Sequence, residues 1–121
     1  MALHTDLPIH KVTYDLLAHA ARITSNFPRD FKQSLGGKIR DECVELVVLI
    51  FRANTATDKA PHLLSLIERL QVVELTLRLS RDLRCISTGQ YATAIELTGS
   101  IGRQANGWRK SASPAAPRSR P

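Results

Sequence analysis

The chain has 121 residues, of which 43% are hydrophobic, and a formal net charge of +6. This length supports one domain with a single core, and no apolar run approaches the roughly 18–20 residues that a membrane span requires. The amino terminus lacks the basic segment and following apolar stretch of a signal peptide, so we expect a cytoplasmic protein that does not contact membranes.

Two helices are predicted in the first half of the chain. Apolar residues recur at steps of three and four from Ile9 to Phe27, and Pro8 suits the first turn. We expect Phe27-Pro28 to end this helix, because the residue before a proline avoids helical geometry. The second helix is predicted from Pro28 to about Asn54, and Gly36-Gly37 is expected to mark a bend or a close backbone contact.

The third predicted helix, from about Lys59 to Ile86, carries two apolar stripes. Asp58 is expected to cap it, with Pro61 in its first turn. One stripe comprises Leu63, Leu66, Leu70, Val73 and Leu77, and the other comprises Val72, Leu75, Leu79, Leu83 and Ile86. Because two stripes need contacts on two sides, we interpret them as a sign of self-association.

A fourth helix is predicted from about Gly89 to Trp108, capped by Ser87 or Thr88. Beyond it, Ser, Ala, Pro and Arg dominate the sequence. We therefore predict a four-helix domain over residues 1–110 and a basic tail over residues 111–121 that is disordered when unbound. The fold class expected is all-α, an antiparallel up-down four-helix bundle.

The sequence contains none of the short motifs that mark a reaction centre, such as a phosphate-binding glycine loop, a nucleophile elbow or a zinc-ligand spacing. Cys43 and Cys85 fall within apolar helical patterns and are expected to be reduced core residues. Glu42 and its acidic neighbours are typical of a solvated charged face, on which Lys38 and Glu42 can pair. We therefore predict no enzymatic activity, no cofactor and no metal.

The basic residues are the main functional signal. All eleven acidic residues precede residue 97, whereas residues 103–121 contain five Lys or Arg and no acid. Such a basic end is typical of polyanion binding, and a solubilising tail is the alternative. The three arginines at positions 78, 81 and 84 fan over roughly 120° of one helical face, which suits phosphate contacts or an ordinary polar face. The candidate nucleic-acid-binding residues are Arg78, Arg81, Arg84, Arg103, Arg109 and Lys110.

Trp108 precedes Arg109 and Lys110 and has two possible roles. Its ring can stack on a nucleic-acid base. The preferred interpretation is that it packs into the end of the bundle, because its burial removes a large apolar area from water.

Four segments resemble a known family. They are the stretch 27–41, the run Leu77-Arg-Leu-Ser-Arg-Asp-Leu, the turn Ile86-Ser-Thr-Gly-Gln-Tyr and the closing Gly107-Trp108-Arg109-Lys110. Together they resemble the accessory variability determinant proteins of diversity-generating retroelements, and the similarity spans most of positions 10–110. A wider group of small bacterial four-helix proteins, including those encoded within ribosomal RNA intervening sequences, shares parts of the pattern.

The resemblance implies a specific function. Its members form basic homopentameric rings without an active site, and they bind the element's reverse transcriptase and template RNA to support mutagenic cDNA synthesis. The cDNA copy is a further candidate ligand. Family members carry basic residues in the third helix, and Arg78 is the position that matches best.

Two alternatives remain open at the level of sequence. One is a stand-alone bundle that binds RNA or the ribosome, as in the intervening-sequence type. The other is a purely structural interaction module whose basic tail aids solubility.

Overall fold

The structure is a computed structural model that describes residues 3–112. Within this range the regular elements are all helical. A 3₁₀ turn (His4–Asp6) is followed by α1 (Pro8–Thr24), α2 (residues 29–55), α3 (Ala60–Asp82) and α4 (Thr88–Ala112). Within α2, a first helical turn (Arg29–Phe31) passes into a π-helical turn (Lys32–Gly36) and then into regular α-helix (Gly37–Thr55). The prediction of an all-α protein with four helices is confirmed.

Each of the four helices packs against two of the others. α1 contacts α2 and α4, and α3 also contacts α2 and α4. The short connections make chain neighbours antiparallel, as in an up-down bundle. The α1–α2 and α3–α4 connections therefore lie at one end of the bundle, and the α2–α3 connection lies at the other. No helix within residues 3–112 is long and apolar enough to cross a membrane.

The core is built from one face of each helix, as the three-and-four spacing of the apolar residues requires. The largest fully buried side chains include Leu16, Ile39, Leu46, Ile50, Leu63, Leu66, Leu77 and Ile101. Buried hydroxyl groups on these faces are satisfied locally. Thr13 Oγ1 donates to the Ile9 carbonyl at 2.7 Å, and Ser80 Oγ donates to the Thr76 carbonyl at 2.7 Å. Cys43 and Cys85 are buried free thiols, as predicted.

The turn between α1 and α2 differs from the prediction in where α1 ends. The helix stops at Thr24 rather than Phe27, and the chain turns so that Phe27 is buried in the core. The π-helical turn of α2 then brings Gly36 against α1. A Cβ atom at Gly36 would lie 3.3 Å from the Thr24 Cβ, so the predicted close backbone contact is confirmed.

The end of α3 also differs from the prediction. The helix ends at Asp82 rather than Ile86, in a Schellman motif. The Cys85 N–H donates to the Ser80 carbonyl at 2.8 Å, and the Arg84 N–H donates to the Arg81 carbonyl at 2.9 Å. Arg84 has a φ of 62°, a left-handed conformation that costs a non-glycine residue about 1–2 kcal/mol. The chain then reverses so that Cys85 and Ile86 enter the core, and Ile86 does not continue the second stripe of α3.

Of the two predicted helix caps, only the one at α4 is confirmed. The N-cap position of α3 is Lys59 rather than Asp58 and has no side-chain capping hydrogen bond. The Asp58 carboxylate lies one residue earlier and accepts a hydrogen bond from the N–H of Ala60, the first residue of α3, at 3.3 Å. Ser87 and Gln90 form a reciprocal capping box at α4, in which each side-chain oxygen accepts from the other's backbone N–H at 3.0 Å. At its other end α4 continues four residues beyond Trp108, to Ala112. Of the tail predicted over residues 111–121, Ser111 and Ala112 belong to α4, and residues 113–121 lie outside the described residues.

Candidate nucleic-acid interface

The main surface recess is a shallow groove along the boundary between α3 and α4, which we call the α3–α4 groove. It has two adjoining parts with volumes of about 600 Å³ and about 380 Å³. Gln71 and Glu74 of α3 line both parts, so the two form one continuous surface. This groove contains the largest share of the predicted basic residues.

Small residues on α4 give the larger part of the groove its shape. Gly99, Gly102 and Gly107 line it. A Cβ atom at Gly102 would lie 3.4 Å from Leu70 Cδ2, so α3 side chains approach the α4 backbone closely there. A Cβ atom at Gly107 would have no neighbour within 4 Å. The groove is therefore closed at Gly102 and open toward the carboxyl end of α4.

Three of the six predicted basic residues line the groove. Arg78 lines the smaller part, and Arg103 and Lys110 line the larger part. All three side chains are exposed. Within residues 3–112 none of them has an ion pair or a side-chain hydrogen bond, and Glu74 is the one carboxylate among the lining residues. The three cations are therefore available to an external anion.

Arg81 is held within the subunit. Its guanidinium lies 4.4 Å from the centroid of the Tyr91 ring, in a cation–π contact. Its Nη2 atom also lies 3.1 Å from Asp82 Oδ1. The Asp82 carboxylate neutralises much of the positive charge that Arg81 presents.

Arg84 lies outside the groove. The predicted helical ridge of three arginines is wrong, because α3 ends before Arg84 and the left-handed turn breaks the three-residue step. The Arg84 side chain is exposed, and no described residue forms an ion pair or hydrogen bond with it.

Arg109 and Trp108 face a different part of the surface. Arg109 is half-buried and donates from Nη2 to Asn106 Oδ1 at 3.4 Å, while its buried Nε has no hydrogen-bond partner. Trp108 is half-buried against the core and, together with Leu7 and Pro8, lines an apolar recess of about 180 Å³ at the end of the bundle. This position agrees with the preferred interpretation of Trp108 as a packing residue.

The predicted pair between Lys38 and Glu42 is present, but its environment differs from the prediction. Glu42 is only 7% exposed, so its carboxylate does not lie on a solvated face. It lies 2.9 Å from Lys38 Nζ and 3.2 Å from Arg69 Nη1, and the second partner comes from α3. Burial, together with the negative charge of Glu42, raises the pKa of the Cys43 thiol to about 12. No group of three or more metal-ligating side chains occurs within residues 3–112.

The geometry therefore provides a weakly enclosed, basic groove that suits electrostatic contact with phosphates.

The sequence model of a protein family described as bAvd-like matches residues 7–112, nearly all of the part that the structure describes. No curated protein matches the chain.

Proposed function

This chain belongs to the bAvd-like family, and we propose that it is a non-catalytic accessory protein of a diversity-generating retroelement. In this role it binds the element's reverse transcriptase and template RNA and supports mutagenic cDNA synthesis. The family match over residues 7–112 is the observation that carries the proposal.

The charge pattern supports RNA as the ligand of the α3–α4 groove. Arg78, Arg103 and Lys110 are exposed cations without partners among the described residues. A shallow surface of this kind suits contact with phosphates and RNA shape rather than readout of a base sequence. Each phosphate contact should make binding more sensitive to salt, because contact releases condensed counterions.

Exposed apolar residues support self-assembly. Leu75 is 67% exposed, Leu79 is 45% exposed and Leu83 is 42% exposed on the outer face of α3. Val44 and Phe51, also about half-exposed, give α2 a second apolar surface. A closed ring with rotational symmetry needs two different complementary surfaces on each subunit. We propose a homopentamer, with the number five taken from the family resemblance; five chains of +6 carry about +30 in total.

The experiment that tests the proposal measures assembly, RNA binding and partner binding with the same set of proteins. Light scattering should give a mass near five chains for the wild type, and a fluorescently labelled template RNA should bind with an affinity that falls steeply as salt increases. Co-expression with the reverse transcriptase of a diversity-generating retroelement that carries this gene should yield a complex that survives purification.

Two variants locate the surfaces in that experiment. Leu79→Glu should give a helical monomer, because the carboxylate would be buried unpaired in an interface, and Leu79 does not line the α3–α4 groove. Arg78→Ala with Arg103→Ala should keep the assembled mass and reduce the slope of log affinity against log salt by about two. Arg52→Ala, an exposed arginine on α2, is the matched control for loss of charge. A wild type that binds RNA as a monomer and ignores the reverse transcriptase would favour the stand-alone RNA-associated alternative. A protein that binds neither would contradict both.

A further inference from the structure

Arg84 occupies a backbone position that favours glycine. It is the one non-glycine residue with a positive φ within the described residues, and it stands where a Schellman motif usually has glycine. The two hydrogen bonds of the motif use backbone atoms of Arg81, Arg84, Ser80 and Cys85. Glycine would keep both bonds without the steric conflict of a Cβ atom. The local fold therefore gives no reason for an arginine at this position.

The side chain of Arg84 also gains no visible contact inside the subunit. It is exposed, and no ion pair, hydrogen bond or ring contact joins it to another described residue. Arg81, three residues earlier, is by contrast held by Tyr91 and Asp82. The Schellman hydrogen bonds and the burial of Cys85 and Ile86 hold the backbone in this unfavourable conformation. Conformations of this kind cluster at functional positions.

The bundle topology places Arg84 at an end that is rich in basic side chains. The α1–α2 and α3–α4 connections lie there together, and a contact between His19 Nε2 and the Gln90 carbonyl at 3.1 Å joins α1 to the start of α4 near this end. The first connection is flanked by Arg22 near the end of α1 and by Arg29 and Lys32 at the start of α2. All three are exposed and have no ion pair among residues 3–112. Asp30 is the exposed acid between them. We call this set of four cations, including Arg84, the connection-end site.

We propose that the connection-end site binds the phosphate backbone of RNA, with Arg84 as its principal contact, separately from the α3–α4 groove. The inference deepens the proposed function and rests on it for the identity of the ligand. A guanidinium suits this task because it remains charged and can donate two parallel hydrogen bonds to one phosphate. Cations beside two connections give one subunit more than one contact with the phosphates of a strand.

The test uses opposite changes in stability and binding in one variant. Arg84→Gly should raise the Tm of the full chain by about 4 °C, because glycine relieves the left-handed conformation. The same variant should bind a fluorescently labelled template RNA about fivefold more weakly, with the salt slope reduced by about one. A change that only damaged the fold would instead lower both quantities.

Three further proteins separate the explanations. Arg84→Lys keeps the charge and the strained backbone, so its Tm should match the wild type and its RNA affinity should fall less than that of Arg84→Gly. Arg29→Ala with Lys32→Ala should weaken RNA binding and reduce the slope by about two. Arg52→Ala, which removes one exposed charge at the other end of the bundle, should change the affinity by less than about twofold.

The outcomes distinguish this inference from the proposed function. If Arg84→Gly binds RNA as tightly as the wild type while the groove variant binds weakly, the connection-end site is wrong and the proposed function stands. If Arg52→Ala weakens binding as much as Arg84→Gly, the effect is one of net charge and the inference also fails. If the wild type does not bind RNA at low salt, the RNA-binding part of the proposed function fails first.

Discussion

The inner and outer faces of α3 both carry large apolar residues, but these residues lie in opposite environments. The inner face carries Leu63, Leu66, Leu70, Val73 and Leu77, each at most 4% exposed. The outer face carries Leu75, Leu79 and Leu83, which are 42–67% exposed. The difference lies in the neighbours. The inner face packs against α2 and α4, whereas the outer leucines remain largely exposed, and Leu75 borders α4 only at the groove.

This contrast shows that apolar periodicity identifies surfaces to be covered without identifying what covers them. The inner leucines stabilise the subunit, because folding removes them from water. The outer leucines gain little from folding, and a contiguous apolar surface on a soluble protein is typical of an interaction site. Substitutions on the two faces should therefore affect different equilibria, unfolding on one side and association on the other.

The largest expected effect is on the inner face. Leu66→Ala should lower the free energy of unfolding by about 2–5 kcal/mol, because it leaves a cavity in a core position that is fully buried. Leu75→Ala, the matched change on the outer face, should alter it by less than about 0.5 kcal/mol under conditions where the chain is monomeric. Urea unfolding followed by circular dichroism measures both. Equal losses would mean that the outer face is also covered within the subunit.

The second prediction concerns the Cys43 thiol, which is buried in the same core as the inner leucines. Its pKa is raised from 9.0 to about 12, first by burial and second by the charge of Glu42. Below pH 9 the thiol is protonated in both states, so its full contribution to stability is present there. Between pH 9 and 12 the unfolded thiol ionises while the folded one does not, and the free energy of unfolding should fall by about 1.4 kcal/mol per pH unit.

The variant Cys43→Ala isolates this effect from other groups that titrate in the same range. Its free energy of unfolding should decrease less steeply with pH than that of the wild type. The Cys43 thiol should also react with a thiol reagent only as fast as the protein opens. Parallel pH profiles for the two proteins would show that the thiol ionises as easily when folded as when unfolded.

The smallest of the three effects concerns Arg69, which lies between the inner and outer faces of α3 and pairs with the buried Glu42. Glu42→Gln should lower the free energy of unfolding by about 1–2 kcal/mol, because Lys38 and Arg69 both lose a charged partner. The loss is limited because both cations remain partly solvated. Glu68→Gln, an exposed neighbour on α3 without an ion pair among the described residues, is the control and should change it by less than about 0.5 kcal/mol. Similar losses in both variants would indicate a general charge effect.

The candidate interface was only partly predictable. Arg103 and Lys110 are predicted from the acid-free end and Arg78 from the arginines of the third helix, and the structure brings all three to one groove. The pattern in the third helix also predicts Arg81, which Tyr91 and Asp82 hold within the subunit. Sequence spacing cannot reveal this, because Tyr91 reaches Arg81 only after the chain has reversed between α3 and α4.

The sequence by itself determined the helix number, the residues that form the core face of each helix, the Ser87 cap of α4 and the family. These features depend on local periodicity, on side chains that hydrogen-bond to nearby backbone and on the order of short motifs. All three can be recognised in the amino-acid sequence alone. The two apolar stripes of α3 were also visible at this level, although only the packed bundle shows which one is covered.

Tertiary structure alone decided the end of α3, the burial of Glu42 and the grouping of the basic residues. A glycine usually marks the end of a helix in sequence, and position 84 has an arginine instead. The chain reversal after α3 therefore depends on the burial of Cys85 and Ile86 in the core. Glu42 becomes buried because α3 brings Arg69 beside it. The physical reason is the same in each case: these features depend on contacts between helices distant in sequence, and those contacts form only when the whole bundle packs.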